Sequence, residues 1–171
     1  MEQLWAPWRM ELIKKDAPKE GCIFCDLPRS KNDRENLVLG RTARTFAMLN
    51  KFPYNNGHLM VIPRQHASDL QALSDEDHEE LGAMLRVALR LVGSAYSPHG
   101  ANVGMNLGGA AGAGIADHLH WHVVPRWGGD TNYMPVLADT KVMIEHLDES
   151  WRRLRPLFDA EYRRGEPVPS W

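Results

Sequence analysis

The sequence predicts a single domain of the α+β class. Short strand candidates follow one another along the chain with turn-forming residues between them. Helical periodicity is confined to separate segments and does not alternate regularly with the strands. This order favours an antiparallel sheet flanked by helices over a parallel βαβ sheet. At 171 residues, the chain is long enough for one domain with a substantial core and short for two.

Short apolar segments predict the strands. A dense group of turn-forming residues at 50–57 separates two of them, and Pro63 ends the strand that follows this turn. A glycine-rich loop at 108–114 leads into the last strand candidate. The predicted strands are 37–39, 45–49, 58–62, 101–106 and 118–124.

Two helices are predicted. The first runs from about Ser74 to Tyr96, because Ser74 is a good N-cap, acidic residues follow it, and one apolar face recurs at helical spacing. The second spans Asp139 to about Arg155, with Pro156 marking its end or a kink. Its predicted buried face carries Met143, Leu147, Trp151 and Leu154.

The chain is expected to divide into an N-terminal arm, residues 1–21, and one domain over residues 22–171 with a C-terminal helical extension. Trp5 and Trp8 are the apolar anchors of the arm. The N-terminus lacks a signal-peptide pattern and no apolar run could span a bilayer, so we expect a cytoplasmic protein without a membrane partner. A formal net charge of −2 gives no general electrostatic basis for binding nucleic acid.

The most informative stretch carries three histidines in alternation, His118, His120 and His122. In an extended strand, these side chains share one face while the apolar residues between them face the core. A half-buried strand with a histidine-rich polar face is the plainer interpretation. The glycine-rich loop before the histidines and Pro125-Arg126 after them favour a functional site, in which imidazole could act as nucleophile, proton carrier, phosphate donor or metal ligand.

The loop 108–114 has four glycines in seven residues. Its backbone N–H groups could approach phosphate oxygens closely, although a flexible turn has the same composition. No Gly-Lys-Ser/Thr follows, so this is not a Walker loop.

Cys22 and Cys25 form a C-x-x-C pair. This spacing suits zinc chelation, with His66 and His118 as candidates to complete a closed, structural Cys2His2 set. A redox dithiol and two unremarkable cysteines are the alternatives. A redox pair usually opens a helix after a strand in a βαβ unit, which this sequence does not show.

Three features together resemble the histidine-triad (HIT) family of nucleotidyl hydrolases and transferases, and within it the bacterial diadenosine-tetraphosphate-cleaving type. These are the run 118–126, the segment 50–63, and Asn106-Leu107-Gly108 with its glycine loop. The Cys pair resembles the zinc-bearing members, and 127–132 resembles an extension of the bacterial group. The resemblance implies a HIT-like half-barrel, an antiparallel sheet of about five strands with one long helix and a C-terminal helix, and a homodimer.

The resemblance also implies roles for individual residues. His120 would attack the α-phosphorus and form a nucleotidyl-histidine intermediate, and His122 would hydrogen-bond the phosphate. Asn50 would contact the ribose. The structural zinc would be held by Cys22, Cys25, His66 and His118. The implied substrate-binding residues are Asn50, Asn106, Gly112, Ala113, Gly114 and Trp127.

The sequence leaves several functions open. Dinucleoside polyphosphate cleavage, phosphoramidate cleavage and nucleotidyl transfer to a sugar phosphate share this chemistry, and a nucleotide sensor with little turnover is a further alternative. Gly114 replaces the polar residue that many family members carry before the triad. A metallohydrolase using the three histidines as ligands is less favoured, because no motif supplies its general base.

Overall fold

A computed structural model describes residues 21–138, 140 and 142–162 of the chain. The predicted arm, apart from residue 21, lies outside the described residues, as do Asp139 and the end of the C-terminal extension. Five strands form one open sheet in the order β1-β2-β3-β5-β4, and every neighbouring pair is antiparallel. The strands are β1 Val38–Arg41, β2 Thr45–Leu49, β3 Leu59–Pro63, β4 Gly100–Met105 and β5 Trp121–Arg126. The predicted α+β class and five-stranded antiparallel sheet are confirmed.

The α-helices are α1 Ile23–Asp26, α2 Asp75–Tyr96, α3 Met134–Ala138 and α4 Leu147–Tyr162. Helix α2 begins where the sequence predicted it. Ser74 accepts a hydrogen bond from the N–H of Asp77, and the Asp77 carboxylate accepts one from the N–H of Ser74, so the two residues close a capping box. Within the described residues, no helix combines the length and apolar character needed to cross a bilayer.

The two faces of the sheet are covered differently. Helices α2 and α4 pack on one face and enclose the main core, with buried Leu59, Val61 and Val123 pointing into it. Helix α1 lies over the opposite face, against which its Phe24 packs. The second, smaller core on this face consists of Phe24, Val38, Phe46, Met48, Met60 and Ile62.

The register of β3 and β5 decides where the histidines lie. Met60 pairs with His122, and Leu59 pairs with Val123. Because alternate residues point to opposite faces, His122 shares the face of Met60, away from helices α2 and α4. Strand β5 begins at Trp121, so only His122 lies within it, whereas His118 and His120 were predicted inside the strand and lie in the segment that leads into it.

The predicted bounds of the last helix are wrong. Helix α4 begins at Leu147, eight residues after the predicted start, and Met143 lies outside it. The helix continues through Pro156 to Tyr162. Leu154 and Phe158, which flank Pro156, are fully buried, and this packing offsets the hydrogen bond that proline cannot donate.

Candidate active site and metal centre

Cys22, Cys25, His66 and His118 come together beside helix α1. Their ligand atoms all lie within 4.8 Å of one another. The Sγ of Cys22 is 3.2 Å from Nδ1 of His118, and the Sγ of Cys25 is 3.4 Å from Nδ1 of His66. Tetrahedral zinc with bonds of about 2.0–2.3 Å would have ligand–ligand edges of about 3.3–3.8 Å. The donor set therefore fits a four-coordinate site with two sulfur and two nitrogen ligands, and the two Cys–His distances lie close to these edges.

The outer contacts of the cluster fix its ligand atoms. Nε2 of His118 lies 2.8 Å from the carbonyl oxygen of Pro63. Because a carbonyl only accepts, Nε2 carries the proton and donates it, which leaves the lone pair on Nδ1 facing the sulfur atoms. Burial lowers the pKa of His118 and so favours this neutral form. Burial and a hydrogen bond with Cys22 raise the pKa of the Cys25 thiol to about 11.

His120 is held in the tautomer that a nucleophile needs. It is 5% exposed, and its Nδ1 lies 2.9 Å from the carbonyl oxygen of His118. By the same argument, Nδ1 donates its proton to that carbonyl, so Nε2 carries the lone pair. Burial lowers the pKa of His120, which keeps the ring neutral and the lone pair available near neutral pH. The ring of Phe24 packs against His120 at 5.1 Å between centroids.

A chain of hydrogen bonds sets the tautomer of His122. The N–H of Tyr54 donates to Nδ1 of His58 over 3.0 Å, so the proton of a neutral His58 is on Nε2. That Nε2 lies 3.0 Å from Nδ1 of His122. His58 therefore donates to His122, and a neutral His122 carries its proton on Nε2, the atom turned away from His58. Such a ring presents a donor, which suits contact with a phosphate oxygen.

A cleft of about 530 Å³ opens beside His122, in the volume range typical of small-molecule sites. His122 and Asn106 mark one end, and Arg126 and Asp130 mark the other. Strand β5 supplies His122, Val124 and Arg126 at period two, because these alternate residues share a face. The lining residues are Tyr54, Asn55, Asn102, Val103, Gly104, Met105, Asn106, Ala111, His122, Val124, Arg126, Asp130 and Thr131.

Residues 31–129 match the model of the HIT domain, which covers more than half of the chain. The chain belongs to the HIT family. The five-stranded antiparallel sheet with its helices is the HIT fold in this chain.

Curated HIT relatives cover much of the chain. It is 40% identical over 162 residues to the AP-4-A phosphorylase of Mycobacterium tuberculosis, an alignment that spans 90% of this chain and 83% of the relative. It is 33% identical over 105 residues to the adenosine 5′-monophosphoramidase hnt1 of Schizosaccharomyces pombe, over 61% of this chain and 74% of that protein.

Solved HIT structures share the fold. A zinc-bound histidine triad family protein from Mycobacterium smegmatis superposes with a TM-score of 0.65 at 25% identity, over 85% of this chain and 98% of that one. A hypothetical histidine triad nucleotide-binding protein from Sulfolobus tokodaii gives a TM-score of 0.66 at 22% identity, over 88% and 100% of the two chains. The second likeness shows the fold alone.

The implied substrate-binding residues fall in three places. Asn106 lines the cleft, and its Nδ2 lies 3.5 Å from the carbonyl oxygen of Gly112. The loop around it is exposed at residues 107–112, and Gly108 and Gly112 adopt φ of +75° and +83°, which glycine adopts readily. Asn50 lies before the turn that leads to β3, with its Oδ1 accepting from the N–H of Phe52.

Trp127 lies apart from the other implied substrate-binding residues. It follows Trp121 and Val123 at an even spacing along the chain, and those two residues face the core on the helix side of the sheet. Its ring meets that of Tyr96 edge-on at 6.5 Å between centroids. Trp127 is absent from the lining of the cleft.

His58 and Phe24 are site residues that the sequence reasoning did not assign. His58 is fully buried and contacts His122, while Phe24 is 3% exposed and contacts His118 and His120. The sequence places His58 two residues before Met60, so both side chains are expected on the same face of the strand. Assigning His58 to the site also requires the pairing of Met60 with His122, which no local pattern predicts.

Proposed function

We propose that this HIT protein is an enzyme that acts on nucleotides, cleaving dinucleoside polyphosphates at the α-phosphorus through a nucleotidyl-histidine on His120. The observation that carries the proposal is the buried His120 ring, whose Nδ1–H is bonded to the carbonyl of His118. This contact leaves Nε2 as the nucleophilic atom. The name and the similarity of the mycobacterial AP-4-A phosphorylase support this substrate class.

The first chemical step forms a bond from Nε2 of His120 to the α-phosphorus. The bond from that phosphorus to its bridging oxygen breaks, and the electron pair leaves with the departing nucleotide. With diadenosine tetraphosphate, the leaving nucleotide is ATP and the adduct is adenylyl-His120. The adduct ring is cationic, and its Nδ1–H remains bonded to the His118 carbonyl, which stabilises the charge.

The second step releases the nucleotide from His120. Water attacks the adduct phosphorus and gives AMP, or inorganic phosphate attacks it and gives ADP. In both cases the phosphorus–nitrogen bond breaks and its electron pair returns to Nε2, while the attacking oxygen loses its proton to solvent. Since the expelled ATP leaves as an anion, the absence of a polar side chain at Gly114 suits a polyphosphate leaving group.

Other residues bind and orient the phosphate and the nucleoside in this proposal. His122 donates through Nε2 to a phosphate oxygen, because His58 holds its proton there. Asn106 and the backbone of Gly112, Ala113 and Gly114 stabilise charge that develops on the phosphate oxygens. Asn50 contacts the ribose. Trp127 is also proposed to contact substrate, and its ring packs edge-on against Tyr96.

We also propose that the cluster of Cys22, Cys25, His66 and His118 binds zinc. With four protein ligands and no open position, the bound ion would supply a structural tether. His118 then links the cluster to catalysis, since its carbonyl orients His120. The zinc-bound M. smegmatis relative supports this assignment.

A homodimer is proposed through helix α2 and the sheet edge at β4. Strand β4 has a neighbour on one side only, β5, and Val103 on it is 39% exposed. Light scattering after size exclusion tests this, and a mass of about 19 kDa, that of one chain, would contradict it.

The deciding experiment is product analysis with diadenosine tetraphosphate, with and without inorganic phosphate. AMP plus ATP under both conditions identifies a hydrolase, and phosphate-dependent ADP plus ATP identifies a phosphorylase. His120→Asn and His120→Ala should abolish turnover and the acid-labile adduct while the protein still folds. His78→Asn is the matched control, because His78 is exposed on α2, contacts the carbonyl of Leu70 and does not line the cleft. Retained turnover in both His120 variants would overturn the nucleophile.

Phosphoramidate cleavage is the second candidate, since the S. pombe relative is named as an adenosine 5′-monophosphoramidase. Adenosine 5′-phosphoramidate belongs in the same assay, with AMP as the expected product. Cleavage of this compound alone would favour the second candidate. Transfer to a sugar phosphate, and nucleotide binding without an adduct, are the remaining outcomes that a panel of nucleotides would separate.

A further inference from the structure

The end of the cleft farthest from Asn106 is built around Arg126. Arg126 lies four residues beyond His122 on the same face of β5, so the two Cα atoms are about 13 Å apart along the strand. The guanidinium is anchored on two sides. Nε and Nη2 donate to the Asp130 carboxylate over 2.6 and 3.1 Å, and Nη1 donates to Oδ1 of Asn102 over 2.7 Å.

The Asp130 carboxylate accepts hydrogen bonds from several groups. Besides Arg126, Asp130 accepts from Nδ2 of Asn55 over 2.8 Å and from the N–H of Trp127 over 3.3 Å. Its side chain is 10% exposed, whereas that of Arg126 is 48% exposed. The negative partner is therefore covered, and the positive partner is turned toward the cleft.

The groups that Arg126 and Asn102 leave for a ligand are hydrogen-bond donors. A guanidinium has five N–H groups, and three of those on Arg126 are used by Asp130 and Asn102, so one N–H on each Nη remains. Because Arg126 can only donate, Asn102 must turn its oxygen to it, which directs the Asn102 NH₂ group elsewhere. Donors on an anchored, positively charged wall complement the oxygens of a phosphate.

We infer that Arg126, held by Asp130 and Asn102, is a second phosphate-binding subsite of the cleft, beyond the phosphate that His120 attacks. This inference rests on the proposed function, because it places the reacting phosphate at the His120 and His122 end. The ligand chemistry is a phosphate group. It belongs either to the polyphosphate chain beyond the α-phosphate or to the inorganic phosphate that resolves the adduct.

Binding measurements separate these two sources. In a His120→Asn background, which blocks turnover, calorimetry is performed with diadenosine tetraphosphate, inorganic tripolyphosphate, inorganic phosphate and AMP. Arg126→Gln is compared with Arg90→Gln, which breaks an exposed ion pair with Glu161. Arg126→Lys is the second variant, since it keeps the charge and loses the anchored fork.

We expect Arg126→Gln to weaken binding of diadenosine tetraphosphate and tripolyphosphate at least tenfold, with AMP unchanged, and Arg90→Gln to weaken neither. Weakened binding of inorganic phosphate with unchanged diadenosine tetraphosphate would assign the subsite to the attacking phosphate. Equal affinities in Arg126→Gln and its background, or an equal loss for AMP, would overturn the subsite. If Arg126→Gln weakens binding as expected but the wild-type protein forms no adduct on His120, the proposed function fails and the subsite stands.

Discussion

Phe24 is the apolar anchor of the C-x-x-C segment, and its replacement by alanine tests how the metal cluster is held on the sheet. Its side chain is 3% exposed and packs with the small core on the face opposite α2 and α4. Removing a buried phenylalanine side chain costs about 3–5 kcal/mol. For a chain of this size, each kcal/mol lowers Tm by about 2–4 °C, so Phe24→Ala should lower Tm by about 6–20 °C.

Phe24→Leu separates the ring from the bulk of the side chain. Leucine keeps most of the buried volume but loses the ring contacts with His118 and His120, which are worth about 0.5–1.5 kcal/mol. The expected fall in Tm is then about 1–6 °C. Because Phe24 lies between the two cysteines, Phe24→Ala should also weaken zinc affinity about 10–100-fold, as loss of a supporting residue does at other metal sites.

Ile23 provides a matched control. It lies between the same cysteines but is 51% exposed, so Ile23→Ala should change stability by no more than about 0.5 kcal/mol. The assay is thermal unfolding by circular dichroism, with and without added zinc, together with zinc titration of each variant. A Tm for Phe24→Ala within about 3 °C of wild type, or an equal loss in Ile23→Ala, would refute the anchoring argument.

Three further predictions concern the metal, pH and the His122 contact. Removal of zinc by a chelator should lower Tm reversibly. The loss of stability should be about 2.7 kcal/mol if free zinc was 100-fold above its Kd, and Cys25→Ser should abolish the response. An unchanged wild-type Tm would argue against a resident ion. Burial alone would raise the pKa of Asp33, but hydrogen bonds from Arg41 and Arg155 outweigh it and hold this pKa below its usual 3.8. The ionised carboxylate therefore stabilises the folded state above pH 3.8, and this stabilisation is lost as pH falls through the folded pKa. Urea unfolding should therefore show wild type more stable than Asp33→Asn at pH 7, with a gap that narrows in acid; a gap independent of pH would contradict this. His58→Leu should lower kcat about tenfold or more with little change in KM, because the Nε2–H of His122 that His58 orients acts on the transition state. A change in KM alone, measured on protein shown to be folded, would assign His58 to substrate binding.

The presence and order of the strands, the long helix and the family could be predicted from the sequence, whereas the start of β5 could not. Short apolar segments, the Ser74 cap and the spacing of the three histidines are local features, so they can be recognised without the fold. The four residues proposed for zinc could also be named from the sequence, because C-x-x-C spacing and the family resemblance both indicate them. The last helix could not be bounded, since the burial of Leu154 and Phe158 against the sheet overrides the local effect of Pro156.

The long-range contacts of the site depend on how the strands pair. The pairing of Met60 with His122 brings His58 to the triad across 64 residues of sequence, and only that contact assigns the proton of His122. The same holds for the anchoring of Arg126 by Asn102, which depends on how β4 lies beside β5. The His58–His122 and Arg126–Asn102 hydrogen bonds join distant segments, so they follow from strand register and not from residue order.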